Sequence, residues 1–195
     1  MILWFLIAES VGNIGFSAGV DQPWPDSTTM IAVGTDARAG ASLDIATFVN
    51  NTLWDPGWLA LSWGISLGFK YHNFQGSLGR ADFYTVPTML HGSAFFPGDR
   101  IRAGLDMGGG LCYQWTRWDP PLNDGVSSIR PLAWAGEIGG FAGLRLSRFL
   151  WVQASYGLWA TNGPVLRDLF EPGTEGTVDL VVKGRFLRLN LLFGN

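Results

Sequence analysis

With one cysteine and two histidines in 195 residues, the chain has few of the side chains from which disulfides and metal centres are built. Cys112 alone excludes an internal disulfide and a cysteine-rich metal site, and reads as a small side chain packed inside the structure. His72 and His91 lie too far apart along the strands for a dedicated metal site, so neither a metal nor a cofactor is expected. Lysine and arginine number 13, are scattered, and leave a net charge of -3, which gives no basic stripe for nucleic acid. Charged residues make up 15% of the chain, where soluble domains carry about 25%. No run approaches the roughly 18 unbroken apolar residues of a spanning helix. Gly108-Gly109-Gly110 falls inside a strand pattern, which excludes a phosphate-binding loop.

What the chain does have is apolar side chains spread thinly: 47% hydrophobic residues, with 27 glycines and 10 tryptophans. High apolarity without a spanning helix leaves a water-soluble β fold or a membrane barrel whose apolar residues occupy alternate positions. The stretch Arg100 to Trp118 decides between them. Ile101, Ala103, Leu105, Met107, Gly109, Leu111, Tyr113 and Trp115 fall on one face; Arg102, Gly104, Asp106, Gly108, Gly110, Cys112, Gln114 and Thr116 fall on the other. The apolar face ends in Tyr113 and Trp115, rings that settle at a bilayer boundary, and a tilted strand needs only about 9 to 11 residues to cross.

Taken in order, the pattern gives a single all-β domain over residues 1–195. The apolar start, residues 1–9, reads as the remnant of a secretory signal. A first strand carries Ile14, Phe16, Ala18 and Val20 on one face and ends in a loop, Asp21 to Thr28. A second runs from Thr29 to about Phe48, with Ile31, Val33, Leu43 and Ile45 outward, before a turn over Asn50 to Gly57. The third, Trp58 to His72, sets Leu59, Leu61, Trp63, Ile65, Leu67, Phe69 and Tyr71 against Ala60, Ser62, Gly64, Ser66, Gly68, Lys70 and His72. A polar loop, Asn73 to Asp82, leads to a fourth over Phe83 to Phe96, where Pro87 predicts a bulge or an unpaired position. After the central stretch, a loop from Trp118 to Arg130 precedes strands over Pro131 to Leu146 and Phe149 to Thr161. A loop from Asn162 to Thr177 precedes the last strand, Val178 to Phe193, whose phase slips as if bulged near Gly184.

The connections alternate long and short, the habit of antiparallel up-and-down barrels with long outside loops and short periplasmic turns. The expected fold is an eight-stranded antiparallel up-and-down transmembrane β-barrel. Its boundary aromatics would be Trp54, Phe95, Phe96, Phe149 and Phe193 at one rim, and Tyr71, Tyr84, Tyr113, Trp115, Trp134 and Tyr156 at the other. From Asn13 to Phe193 the chain resembles the small eight-stranded outer-membrane barrel proteins, the group of the OmpA, OmpX and OmpW families. The likeness rests on this architecture and on a terminal strand with an aromatic, Phe193, near its end; it departs from the usual pattern in that Gly194 and Asn195 follow. The resemblance implies the bacterial outer membrane, contact with its lipid and lipopolysaccharide, and a barrel in place of an enzyme.

An eight-stranded barrel is just wide enough for its own side chains to fill it, so a solute pore is not expected. The inward polar set is Arg38, Asp44, Lys70, His91, Arg102, Asp106, Glu137, Arg145, Gln153 and Arg188, which reads as a plug of paired charges. A turn centred on Gly98-Asp99 would set His91 directly across from Asp106. The expected role is structural or interactive, through the long loops or through an outer wall where Gly109, Gly136 and Gly140 permit close approach by other membrane subunits. The alternatives are an OmpW-like conduit for small apolar compounds, parting near Pro87 and Gly184, and a lipid hydrolase using His91, Ser93 and Asp106 as base, nucleophile and orienting carboxylate. For the last, His91-Gly92-Ser93-Ala94 resembles the His-x-Ser-Asn segment of outer-membrane lipid A deacylases without its asparagine. The acidic loop residues Asp119, Asp124, Asp168, Glu171 and Glu175 read as a solvated surface.

Overall fold

A computed structural model describes residues 12–25, 34–119, 127–166 and 178–194. Eight strands follow one another along the chain: β1 Asn13–Trp24, β2 Arg38–Trp54, β3 Ala60–Gly76, β4 Gly79–Phe96, β5 Ile101–Asp119, β6 Ser127–Ser147, β7 Leu150–Leu166 and β8 Val178–Gly194. Each pairs antiparallel with the next, and β1 pairs with β8, so the sheet closes on itself and leaves no edge. The fold class read from the alternation is therefore the one observed.

Closure turns the alternation into an outside and an inside. Leu61, Trp63, Ile65 and Leu67 of β3 are exposed, as are Leu105, Met107 and Leu111 of β5, while Ser62, Ser66 and Lys70 between them are buried. Leu105 is 67% exposed and Asp44 1%. Such a surface, greasy outside and charged within, is stable only where the surroundings are greasier than the core. It is the arrangement of a strand-built membrane span.

Several boundaries differ from the sequence reading. β1 runs on through Asp21 to Trp24, where a loop was expected, and puts Asp21 into the barrel. β2 begins at Arg38 and continues through Asn50 and Asn51 to Trp54; Ile31 and Val33 lie outside the described residues. Asn73 to Asp82 is not a loop: β3 and β4 stay paired up to Gly76 and Gly79, with only Ser77 and Leu78 between. The long-short alternation of connections therefore fails after β3. Asp36, in the β1–β2 connection, accepts hydrogen bonds from the amide and hydroxyl of Ser77 at 2.9 and 2.8 Å. These bonds hold its carboxyl below the usual aspartate value and tie that connection to the turn.

The expected slip at Gly184 does not occur. Gly184 pairs with Pro23 and with Trp159 in continuous register, and β8 alternates without a break. What changes is the environment. Beyond the membrane, Val182 and Phe186 point inward into an apolar cluster with Phe74, Ala81, Phe83 and Trp159, while Lys183 and Arg185 face outward. Lower down the same strand Leu187, Leu189 and Leu191 face outward, and Arg188 and Asn190 inward. Hydrophobic side chains go inside where water surrounds the barrel and outside where lipid does, so the pattern inverts at the boundary without a bulge. Pro87 behaves as expected: it pairs with Cys112 of β5, but the ladder to β3 skips Gly68 and Phe69, because proline has no amide hydrogen to give. A bulge does occur on β6 between Arg130 and Ala133, where Pro131 falls.

The boundary aromatics gather in two groups. Tyr71, Tyr84, Trp115 and Tyr113 form a run of neighbouring rings with centroids 5.2, 5.1 and 5.8 Å apart. Toward the turn end, Trp54 packs on Trp58 and Phe16 on Phe193, and Phe96 and Phe149 stand exposed. Trp134 and Tyr156 also face outward. Phe95 does not join this set: its ring lies inside, 6.0 Å from Phe141.

Candidate functional site

The site is the lumen, and β3 makes room for it. Ser62, Gly64, Ser66 and Gly68 face inward in succession, and the space they leave admits long side chains from neighbouring strands. Lys70 then places its ammonium 2.8 Å from Asp44 and 3.1 Å from Asp21. Arg188 of β8 grips Glu137 of β6 with two parallel bonds of 2.7 and 2.6 Å and gives its Nε to Asp44. Asp21, Lys70, Asp44, Arg188 and Glu137 thus form one unbroken chain of charge across β1, β3, β2, β8 and β6. Each member is buried or nearly so and bonds to the next, which is the condition for keeping charge out of water, while Oδ1 of Asp21 has no hydrogen-bond partner among the described residues.

Above that layer the lumen is closed by rings. His72 stacks on Trp159 at 4.6 Å with an interplanar angle of 12°, and the Lys70 ammonium sits 5.1 Å over the same indole. The Arg188 guanidinium lies 4.0 Å over Phe186. Desolvated cation–π contacts of this kind contribute about 2 kcal/mol each. They join the charged layer to the apolar cluster beyond it, so the barrel is plugged twice.

Below the layer the lumen is open. A cavity of about 120 Å³ runs from the turn-end rim at Asn13 and Asn50, past Met89 and Phe141, to the underside of Lys70 and Arg188. On its wall, His91 of β4 makes two bonds. Its Nδ1 lies 3.1 Å from Oδ2 of Asp106, and its Nε2 lies 2.7 Å from Oγ of Ser66. An ionised carboxylate only accepts, so Nδ1 carries a proton; in the neutral ring Nε2 then presents its lone pair to the Ser66 hydroxyl. Ser93 donates to the other oxygen of Asp106 at 2.6 Å, and Oε1 of Glu137 stands 3.9 Å from Nδ1, which links this group to the charged layer. Gly108 faces His91 directly. A Cβ there would fall 2.7 Å from the imidazole Cε1, so the glycine is what leaves space for the ring.

The structure sorts the polar residues read from the sequence. Asp44, Lys70, Glu137 and Arg188 are joined in the charged layer, and His91 and Asp106 hang beneath it. The register between β4 and β5 is two residues from the one expected: Ser93, not His91, stands opposite Asp106, and His91 reaches it on the diagonal. Arg102 and Gln153 meet each other at 3.2 Å nearer the open end, with the guanidinium 4.5 Å over Trp151. Arg145 belongs to the rim, where it donates to the carbonyls of Ser147 and Arg148. Arg38 is exposed at the far end of β2 and is no part of the interior, because the irregularity between Ala39 and Ser42 breaks the inward alternation there. Ser93, the nucleophile of the hydrolase alternative, bonds to Asp106, and Ser66 holds the imidazole nitrogen instead. Asp21, Ser66 and Trp159 were not singled out by the sequence. Cys112 is buried beside Thr161 and Gln114, as a small packed side chain.

His91, Asp106 and Glu137 also offer one ligand atom each within 4.8 Å of one another. Both Glu137 oxygens are already held by Arg188, whose positive charge would stand beside any cation bound there.

No protein-family model matches the chain, and no curated protein matches it significantly. Among solved structures, Neisserial surface protein A is 8% identical, with 94% of this chain and 96% of that one covered and a TM-score of 0.48. The outer membrane enzyme PagL is 12% identical, with 91% and 97% covered and a TM-score of 0.47. The barrel stands on its own strand register, and neither neighbour's role is carried over to it.

Proposed function

We propose that the chain is a bacterial outer-membrane barrel that passes no solute and serves as a membrane-embedded scaffold, holding its loops and outer wall for other components of that membrane. The observation that carries this reading is the double closure of the lumen, by the charge chain from Asp21 to Glu137 and by the rings of Trp159, Phe74 and Phe83 beyond it. Lipid and lipopolysaccharide are the surroundings such a wall requires. Exposed glycines fit the idea of a docking wall: a Cβ at Gly109 would meet nothing within 4 Å, so a partner's side chains have room to approach. Of the two parting points of a conduit for apolar compounds, Gly184 keeps its register on both sides, and the ladder is interrupted only at Pro87, between β3 and β4.

Single-channel recording in planar bilayers tests the reading. The reconstituted barrel is expected to be silent over hours at applied voltages of either sign; discrete, reproducible openings would refute it.

A further inference from the structure

Beyond a scaffold, the lumen holds a second feature that the scaffold does not use. Ser66, His91 and Asp106 come from three different strands, β3, β4 and β5, and meet in the order hydroxyl, imidazole, carboxylate. In the neutral ring the hydroxyl is on the unprotonated nitrogen and the carboxylate on the protonated one, which is the arrangement that makes a serine nucleophilic. All three line the cavity that opens at the turn end, so the group is not sealed within the plug. The cavity wall beside it is partly apolar, with Met89, Phe141 and Phe186.

From this geometry we infer that Ser66 is an activated nucleophile, and that the pocket is an acyl-ester site entered from the turn end of the barrel. Ser66 Oγ attacks the ester carbonyl carbon as its proton passes to His91 Nε2. The carbon–oxygen bond to the alcohol then breaks, and the alcohol leaves with that proton. Water next attacks the acyl-serine and gives its proton to Nε2. The bond to Oγ breaks, Oγ recovers the proton, and the acid is released. Ester and water thus become acid and alcohol, with no other reactant. His91 is the base. Asp106, itself fixed by Ser93, is a positioning residue that sets the imidazole's tautomer. The free space, about 120 Å³, is near the roughly 150 Å³ that accommodates a benzene-sized molecule, so a short acyl group fits.

The test uses the refolded full chain in detergent and a small alkyl fluorophosphonate, whose fluoride is displaced by an activated serine oxygen. Mass-spectrometric mapping is expected to find the label on Ser66, to find it reduced at least 100-fold in rate in His91→Asn, and to find it unchanged in Ser147→Ala, a serine at the end of β6 outside the cavity. Heat-modifiable migration on a gel reports that each variant is folded. Because the label is mapped on the wild-type barrel, the test does not depend on Ser66→Ala folding. Absence of label on folded wild type, label on another serine, or equal labelling in folded His91→Asn overturns the inference. A silent bilayer recording together with any of these results leaves the scaffold reading standing while this one fails.

Discussion

Replacing Arg188 by methionine is expected to destabilise the barrel by about 3–5 kcal/mol, the usual cost of removing one partner from a buried charge group. The guanidinium satisfies three carboxylate oxygens at once, two on Glu137 and one on Asp44, and methionine satisfies none. It also removes the cation from above Phe186. Lys70 remains bonded to Asp44, so the loss is concentrated at Glu137, which is 7% exposed and keeps His91 Nδ1 at 3.9 Å but no direct hydrogen-bonded cation. Urea unfolding in lipid vesicles, followed by tryptophan fluorescence, measures it. A shift below 1 kcal/mol would mean that water reaches Glu137 and that the charged layer is no barrier. Replacing Glu137 by glutamine in the same background is expected to restore part of the loss, since a neutral amide leaves no buried charge unpaired.

The second large effect is on the opposite side of the wall. Met107 stands outward, 61% exposed, midway along β5 between Ile101 near the turn end and Tyr113 in the boundary run of rings. Met107→Arg is expected to cost about 2–4 kcal/mol in lipid vesicles, the price of a cation near the bilayer midplane. In an aqueous setting the same exposed substitution would stay within about 0.5 kcal/mol. Unfolding midpoints of wild type and variant in the same vesicles supply the comparison, and a shift within that smaller range would place residue 107 in water.

How much of this was legible in the sequence follows from where one solvent borders the chain and where two do. β3 and β5 could be read almost residue by residue, because over the membrane every second side chain meets lipid and the rest meet the lumen. Near the loop end both faces answer to water, and the rule reverses. There Phe74, Val182 and Phe186 turn inward, and β8 looked bulged when it was only crossing a boundary. Asp21 was hidden for a related reason: Gln22-Pro23-Trp24-Pro25 has the punctuation of a loop, yet Pro23 pairs along β8 in a closed ladder.

The lumen group was only half legible. His91 and Asp106 stood out as an inward histidine and carboxylate at similar depth. Ser66 did not, because it sits in a series of small inward residues, Ser62, Gly64, Ser66 and Gly68, with nothing to mark one serine above another. Its meeting with His91 depends on the β3–β4 register, in which Gly64 faces His91 and Ser66 lies one diagonal step away. The two-residue error in the neighbouring hairpin hid a separate point, that Ser93 stands opposite Asp106 and bonds to it. Arg38 and Arg145 show the limit of alternation at strand ends, where a bulge or a turn frees a side chain from its face.

Everything rests on which face of the sheet meets hydrocarbon, and quenching by lipids brominated in mid-chain measures that directly on chains keeping one tryptophan each. Trp63, on the wall at 39% exposure, is expected to lose most of its fluorescence, and Trp159, at 4% within the plug, to lose almost none. Strong quenching of Trp159 with Trp63 untouched would contradict the account.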